Sequence, residues 1–187
     1  MHPFRQFIAG YVPISDAEWA LVAAQLVPRT ARPGELLVEA GRVCRHLYFL
    51  ESGLMRFFVW KDGLDVTKFF TEAPYAFTSQ RSFAQQQPAA ESVEALEVSQ
   101  LWELPHAVAY GLLNQPTWAE FVRRLTQEVQ FFTENILEEL QTDTAETRYH
   151  RLLRERPQLV QRVPLRHLAS YLGIAPQSLS RIRRNLT

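Results

Sequence analysis

Val163-Pro164-Leu165-Arg166-His167-Leu168-Ala169-Ser170-Tyr171-Leu172-Gly173-Ile174-Ala175-Pro176-Gln177-Ser178-Leu179-Ser180-Arg181-Ile182-Arg183-Arg184 reads as two short amphipathic helices joined by a turn at Gly173. Leu165, Leu168, Ala169 and Leu172 form one apolar stripe at helical spacing; Leu179, Ile182 and Leu186 form a second. Gly173 stands where the chain must leave the first helix through a positive φ. Pro176 is tolerated at a helix's first position and marks a fresh start. Two helices around a tight glycine turn are the helix-turn-helix unit, whose second helix lies in the major groove of DNA. An ordinary helical hairpin would share the stripes, but its polar face would not need to be this basic.

The charge is distributed unevenly around that tail. The 187 residues carry a formal net charge of zero. From Asp143 to Thr187, however, nine arginines face three acidic residues, a net of +6, which leaves −6 on residues 1–142. A basic tail on an acidic partner domain is the pattern of a nucleic-acid binder. Every basic residue in the tail is arginine, whose planar fork suits phosphate and guanine. Cys44 is the only cysteine, which excludes an internal disulfide, and it reads as a small buried filler. No apolar run approaches bilayer-spanning length, and Met1-His2-Pro3-Phe4-Arg5 lacks the form of a signal peptide. A cytoplasmic protein is expected.

Upstream the texture changes twice. Ser15-Asp16-Ala17-Glu18 looks like a helix start, with Ser15 as N-cap, for a helix carrying Trp19, Leu21, Val22 and Leu26 and ending before Pro28. Short aromatic and β-branched runs follow at Leu36–Val38, Leu47–Leu50, Leu54–Trp60 and Val66–Phe70, punctuated by Gly34, Gly41, Gly53 and the hairpin signal Asp62-Gly63. Glu91–Val98 alternates polar with apolar residues, as a half-buried strand does. These strands predict a small antiparallel sandwich or jelly roll. Gln85-Gln86-Gln87-Pro88 reads as a polar loop. Pro105-His106 opens a helical region, and Thr117–Leu140 runs unbroken by Gly or Pro. Its residues Trp118, Val122, Leu125, Val129, Phe132 and Ile136 form a heptad seam suited to a second copy of the chain. Phe121, Phe131, Leu137 and Leu140 lie off the seam and are expected to rest on the roll. Asp143 or Thr144 caps a helix from Ala145 to Arg154, which Pro157 stops.

A helix, a glycine-punctuated roll, a long dimer-type helix and a terminal helix-turn-helix, in that order, resemble the Crp/Fnr superfamily of transcription regulators over nearly the whole chain. The specific pieces are Pro33-Gly34-Glu35, Glu39-Ala40-Gly41, Leu47-Tyr48-Phe49-Leu50-Glu51-Ser52-Gly53 and Leu168–Ile174 with Leu179-Ser180-Arg181-Ile182. The resemblance implies an α+β architecture: a β-roll sensor of the cyclic-nucleotide-binding kind (residues 1–116), a dimerisation helix (117–142) and an all-α DNA-binding domain (143–187). It implies double-stranded DNA, a second copy and RNA polymerase as partners, with an unidentified small-molecule effector for the roll. It also implies no catalytic activity, membrane attachment, cofactor or metal. In the family a Gly-Glu pair holds the ribose of a cyclic nucleotide and an Arg-Ser pair about ten residues later holds its phosphate. Anchored on the Glu91–Val98 strand, those positions fall on Thr78-Ser79 and Ala89-Ala90, so neither pair is present. Arg81-Ser82 would need an insertion before the strand and still lacks the glycine. Losing several charge-assisted hydrogen bonds, each worth roughly 1.5–3 kcal/mol, predicts that cyclic AMP is not the signal. An iron–sulfur cluster needs more thiolates than Cys44 supplies. His46 and His106 carry no pattern supporting haem.

In the second helix, Gln177, Ser178, Arg181, Arg184 and Asn185 share the outward face. Gln177 suits adenine and Arg181 suits guanine or a nearby phosphate; the matching family positions contact bases. Ser178, Arg166 and Arg183 fit backbone-positioning roles. Two departures weaken the grip. Ala175 stands where relatives place a capping Ser or Thr, a loss of about 1 kcal/mol. The sequence ends at Thr187, leaving no room for the hairpin wing that commonly follows. Modest, salt-sensitive affinity is expected. A cupin-type enzyme would need clustered histidines, yet only His46 lies between Arg32 and Pro105. An effector-binding module that acts through protein contacts, its helix-turn-helix serving as scaffold, remains the alternative.

Overall fold

A computed structural model describes residues 1–185. Its centre is a roll of two four-stranded antiparallel sheets. One has the order β1 (Val27–Ala31), β8 (Ser99–Pro105), β3 (His46–Ser52), β6 (Tyr75–Phe77). The other runs β2 (Leu36–Val38), β7 (Ser92–Ala95), β4 (Leu54–Lys61), β5 (Leu64–Glu72). The α+β expectation therefore holds. Asp62 and Gly63 make the two-residue turn between β4 and β5, at φ 53° and 76°, with Lys61 opposite Leu64.

Helices close the roll. Phe4 and Ile8 of α1 (Pro3–Ala9) and Trp118 and Phe121 of the long helix α5 (Pro116–Thr142, 27 residues) are buried in the same core as Phe49, Met55, Phe57 and Val93. Phe4 stacks on Phe49 at 4.7 Å between ring centroids. α2 (Asp16–Ala23) starts on the capping box expected at Ser15 and Glu18. It ends short of Leu26, because the chain turns into β1. Pro28 is tolerated there, since β1 is an edge strand. α3 (Gln80–Gln85) takes up part of what reads as a polar loop and ends at Gln86 in the left-handed region, φ 51°. After α4 (His106–Gly111) and a short 3₁₀ turn, α5 leads to α6 (Ala145–Glu155), capped by Thr144.

The long helix corrects one expectation. Trp118 does not belong to an intermolecular seam: it is 2 % exposed and its Nε1 donates to Ala109 O at 3.0 Å inside the roll. Val122 and Leu125 also pack against that core. Conversely, Phe131, Leu137 and Leu140 do not rest on the roll and are exposed. For Leu137 and Leu140 the reason is length; for Phe131 it is angle. At about 100° per residue, Trp118, Val122, Leu125, Val129, Phe132, Ile136 and Leu140 form one stripe, with Leu137 at its edge and Phe131 on the opposite face. The roll covers its first half, and the helix then runs past it. Val129, Phe132, Ile136, Leu137 and Leu140 are the part left partly or wholly open, although Phe132 still meets Phe69 edge-on at 5.9 Å.

Gly53 links the sheets, at φ 117°. A Cβ there would stand 2.1 Å from Ser99 Oγ and 2.8 Å from Ser99 Cα. Gly53→Ala is expected to destabilise the chain by at least ~2 kcal/mol through strain and clash, read as a lowered midpoint in denaturant at unchanged slope.

Candidate nucleic-acid interface

The terminal helices form as their sequence dictates. α7 (Pro157–Arg162) was hidden in the stretch around Leu159 and Val160; Pro157 stops α6 and also serves as the first residue of α7. α8 (Leu165–Leu172) ends at Gly173, φ 71°, where Ile174 N–H reaches back to Ala169 O at 3.0 Å. α9 (Pro176–Arg184) follows, and Ala175 gives it no side-chain cap. Leu168, Ala169, Leu172 and Leu179 are buried against Tyr149, Leu152, Leu159 and Val160. Ile182 packs on the same cluster; Leu186 lies outside the described residues.

This packing turns Gln177, Arg181, Arg184 and Asn185 to solvent, with Ser178 half-exposed. Arg183 differs from expectation. Its Nε donates to Tyr149 Oη at 3.0 Å and its guanidinium lies over the Tyr149 ring, so it braces α9 on α6 rather than pointing to a phosphate. Arg166 is exposed at the N-terminal end of α8, with its Nε donating to His167 Nε2 at 3.2 Å.

The helix-turn-helix does not hang free. α8 lies against β5, the edge strand of its sheet. Ser170 Oγ accepts from Thr67 N–H and donates to Asp65 O, both at 2.9 Å, satisfying edge groups that no strand pairs. Leu54 and Phe70 of the roll are buried in the core of the terminal helices. Arg156 reaches Glu72 at 2.6 Å, and Arg162 bonds Glu97, Glu72 and Gly53 O. Beneath α8, Arg56 is buried at 2 % exposure. Its guanidinium is forked onto Asp65 and bonded to Glu94 and Thr67. No periodicity announced this set; the signal was a charged residue inside the apolar run Leu54–Trp60. A cavity of about 480 Å³ opens beside it, lined by Arg56, Trp60, Asp65, Glu94, Arg166 and His167 among others.

In the roll, the positions expected for ribose and phosphate contacts carry a different chemistry. Ser79 is 1 % exposed and donates to Glu91 Oε1 at 2.9 Å, while Lys68 Nζ holds Glu91 Oε2 at 2.6 Å. A carboxylate thus stands next to the Ala89-Ala90 positions. Thr78 Oγ1 donates to His46 O, and Ser82 is buried, bonded to Cys44 N and Gln87 O. A cleft of about 320 Å³ lies between α3 and α5, lined by Gln80, Thr126, Val129, Gln130, Thr133, Glu134 and Leu137. Among the described residues no helix is long and apolar enough to cross a membrane, and no cluster of His, Cys, Asp and Glu is arranged to hold a metal.

Residues 28–115 match the family model of the cyclic nucleotide-binding domain. A putative Crp/Fnr-family regulator from Eubacterium rectale superposes with a TM-score of 0.76 at 17 % identity, covering 94 % of this chain and 87 % of that one. The chain has the fold of the Crp/Fnr transcription regulators. FixK2 from Bradyrhizobium japonicum gives 0.75 at 16 % identity over 86 % and 84 % of the two chains. The c-di-GMP-responsive regulator CLP of Xanthomonas campestris gives 0.69 at 14 % over 92 % and 91 %. No curated protein matches by sequence. The Crp/Fnr resemblance read from the sequence is therefore borne out as fold.

Replacing Ser170 with Ala should leave the Thr67 N–H and the Asp65 carbonyl unpaired at a partly buried seam, at a cost of about 1–3 kcal/mol. Gln177→Ala, at an exposed position, should stay within about 0.5 kcal/mol of the parent. Thermal unfolding of both variants checks this.

Proposed function

We propose that this chain is a sequence-specific, DNA-binding transcription regulator of the Crp/Fnr type, without catalytic activity, acting as a homodimer on a palindromic site. The observation that carries the reading is the α8–Gly173–α9 unit. Its core is closed by Leu168, Leu172 and Leu179, while Gln177 and Arg181 stand exposed on one face of α9. Helix N-terminal residues reach base edges first, so Gln177 reads adenine and Arg181 reads guanine. Arg166, Ser178, Arg184 and Asn185 position the helix on phosphates. Residues 1–116 serve as sensor, 117–142 as dimer helix and 143–187 as DNA-binding domain. The open second half of the α5 stripe supports the dimer, with Val129, Phe132, Ile136, Leu137 and Leu140 as the contact. RNA polymerase is the partner such a regulator acts upon.

Cyclic AMP is not its signal. A cyclic phosphate placed at the Ala89-Ala90 positions meets no guanidinium from that pair and has the Glu91 carboxylate beside it, held by Lys68 and Ser79. Like charges at that range are unfavourable.

Three measurements test the reading. In gel shifts against sites selected from a random pool, Arg181→Ala should lose discrimination by roughly 1–3 kcal/mol, whereas Arg166→Ala should weaken all sequences alike and reduce the salt slope by about one. Binding that shows neither salt dependence nor sequence preference would instead favour a scaffold acting through protein contacts. Sedimentation should show a dimer that Leu137→Glu dissociates, and calorimetry should show no micromolar binding of cyclic AMP.

A further inference from the structure

α8 carries a histidine at the seam where it meets the roll. His167 is 6 % exposed. The charged groups around it are Arg56 from β4, Asp65 from β5, Glu94 from β7 and Arg166 from its own helix. Arg166 Nε donates to His167 Nε2 at 3.2 Å, so that nitrogen presents a lone pair and the ring is neutral. Glu94 Oε1 lies 3.9 Å from the same nitrogen but is already bonded by Arg56 Nε at 2.6 Å. Two cations and two carboxylates therefore balance around an uncharged ring. A proton on Nε2 would turn the acceptor into a donor facing another donor, and would leave the seam with one uncompensated positive charge.

We propose that His167 is a proton-operated latch between the helix-turn-helix and the roll: the neutral ring holds α8 against β4, β5 and β7, and protonation releases the helix. Burial, reinforced by Arg56 and Arg166 and opposed by Asp65, pushes the docked ring down to about 4 from the ordinary 6.5. Released into water, the ring returns to the ordinary value. A group whose pKa is depressed in the docked form contributes docking stability that is fully present above pH 6.5 and is lost as pH falls through 4. Because the adjoining cavity admits water, the undocking constant should rise on the order of tenfold between pH 7 and pH 4.5. The bonds of Ser170 to the Thr67 and Asp65 backbone involve no titratable group of their own, so their loss at low pH reports release of α8. What release does to DNA binding rests on the reading above; the latch itself does not.

The test uses the full chain and no DNA, so a failed gel shift leaves it standing. The ring pKa of His167 is followed by NMR. Exchange protection of the Thr67 amide is measured at pH 7 and 4.5 and corrected for intrinsic exchange. The expected result is a ring titrating well below 6.5 and a roughly tenfold loss of protection that is absent in His167→Gln, which can still accept from Arg166 but binds no proton. A ring titrating at its ordinary value overturns the proposal. So does an equal loss of protection in His167→Gln, which would assign the effect to the carboxylates. If that variant does not fold, the wild-type ring pKa decides alone.

Discussion

Arg56 is the constraint on which the arrangement of the two halves depends. A lone guanidinium at 2 % exposure would cost several kcal/mol. It is tolerated because Asp65 takes its fork, Glu94 its Nε and Thr67 a further N–H, with the Phe58 ring 4.0 Å from its centre. Such buried sets seldom add net stability over an apolar contact of the same volume. What this one supplies is direction. An apolar seam of Leu54 and Phe70 alone could slide. The ion set instead presents fixed charges to α8, and the Ser170 hydroxyl fits only where Thr67 N–H and Asp65 O leave the sheet edge together. The edge strand, which would otherwise invite another chain, becomes the berth for the terminal helix pair.

Elsewhere in the roll, turns and side-chain bonds fix the framework. Gly53 keeps φ 117° against Ser99, and the Asp62-Gly63 hairpin sets the β4–β5 register. Beside Ala89-Ala90, Ser79 and Lys68 both hold the Glu91 carboxylate. The sheet scaffold tolerates the half-buried Glu91 carboxylate because these side chains satisfy it.

Legibility followed locality. The capping box at Ser15, the Asp-Gly hairpin, the Thr144 cap and the glycine turn at Gly173 are set by neighbours a few residues apart, and each formed as its residues imply. β1, β6 and β8 owe their strand form to partners distant in sequence, such as Arg29 opposite Leu101, and α1 has too few residues for a periodic stripe. The face of α5 was visible as a period; the point at which the roll stops covering it was not, because that depends on the size of the sheets. Gln177 and Arg181 followed directly from the α9 stripe. Arg183 did not, since its partner, Tyr149, lies on another helix.

That last case bears on the basic tail as a whole. Nine arginines suggested a broad electrostatic footprint, but the fold consumes much of it. Arg151 pairs with Glu139 and Asp143, Arg154 with Glu155, Arg156 with Glu72, and Arg162 with Glu72 and Glu97. Arg148 is bonded to Leu172 O and Arg183 to Tyr149. Three of those carboxylates belong to α5 or the roll, so part of the acidic half and part of the basic tail neutralise each other inside one molecule. On the DNA-binding reading proposed above, the positive field facing a duplex is concentrated where Arg166, Arg181 and Arg184 are exposed. Few phosphates can then be neutralised per protomer, and counterion release scales with that number. On that reading, recognition by so small a footprint draws on two copies held at a fixed spacing, and the uncovered end of the α5 stripe is the surface proposed for that contact.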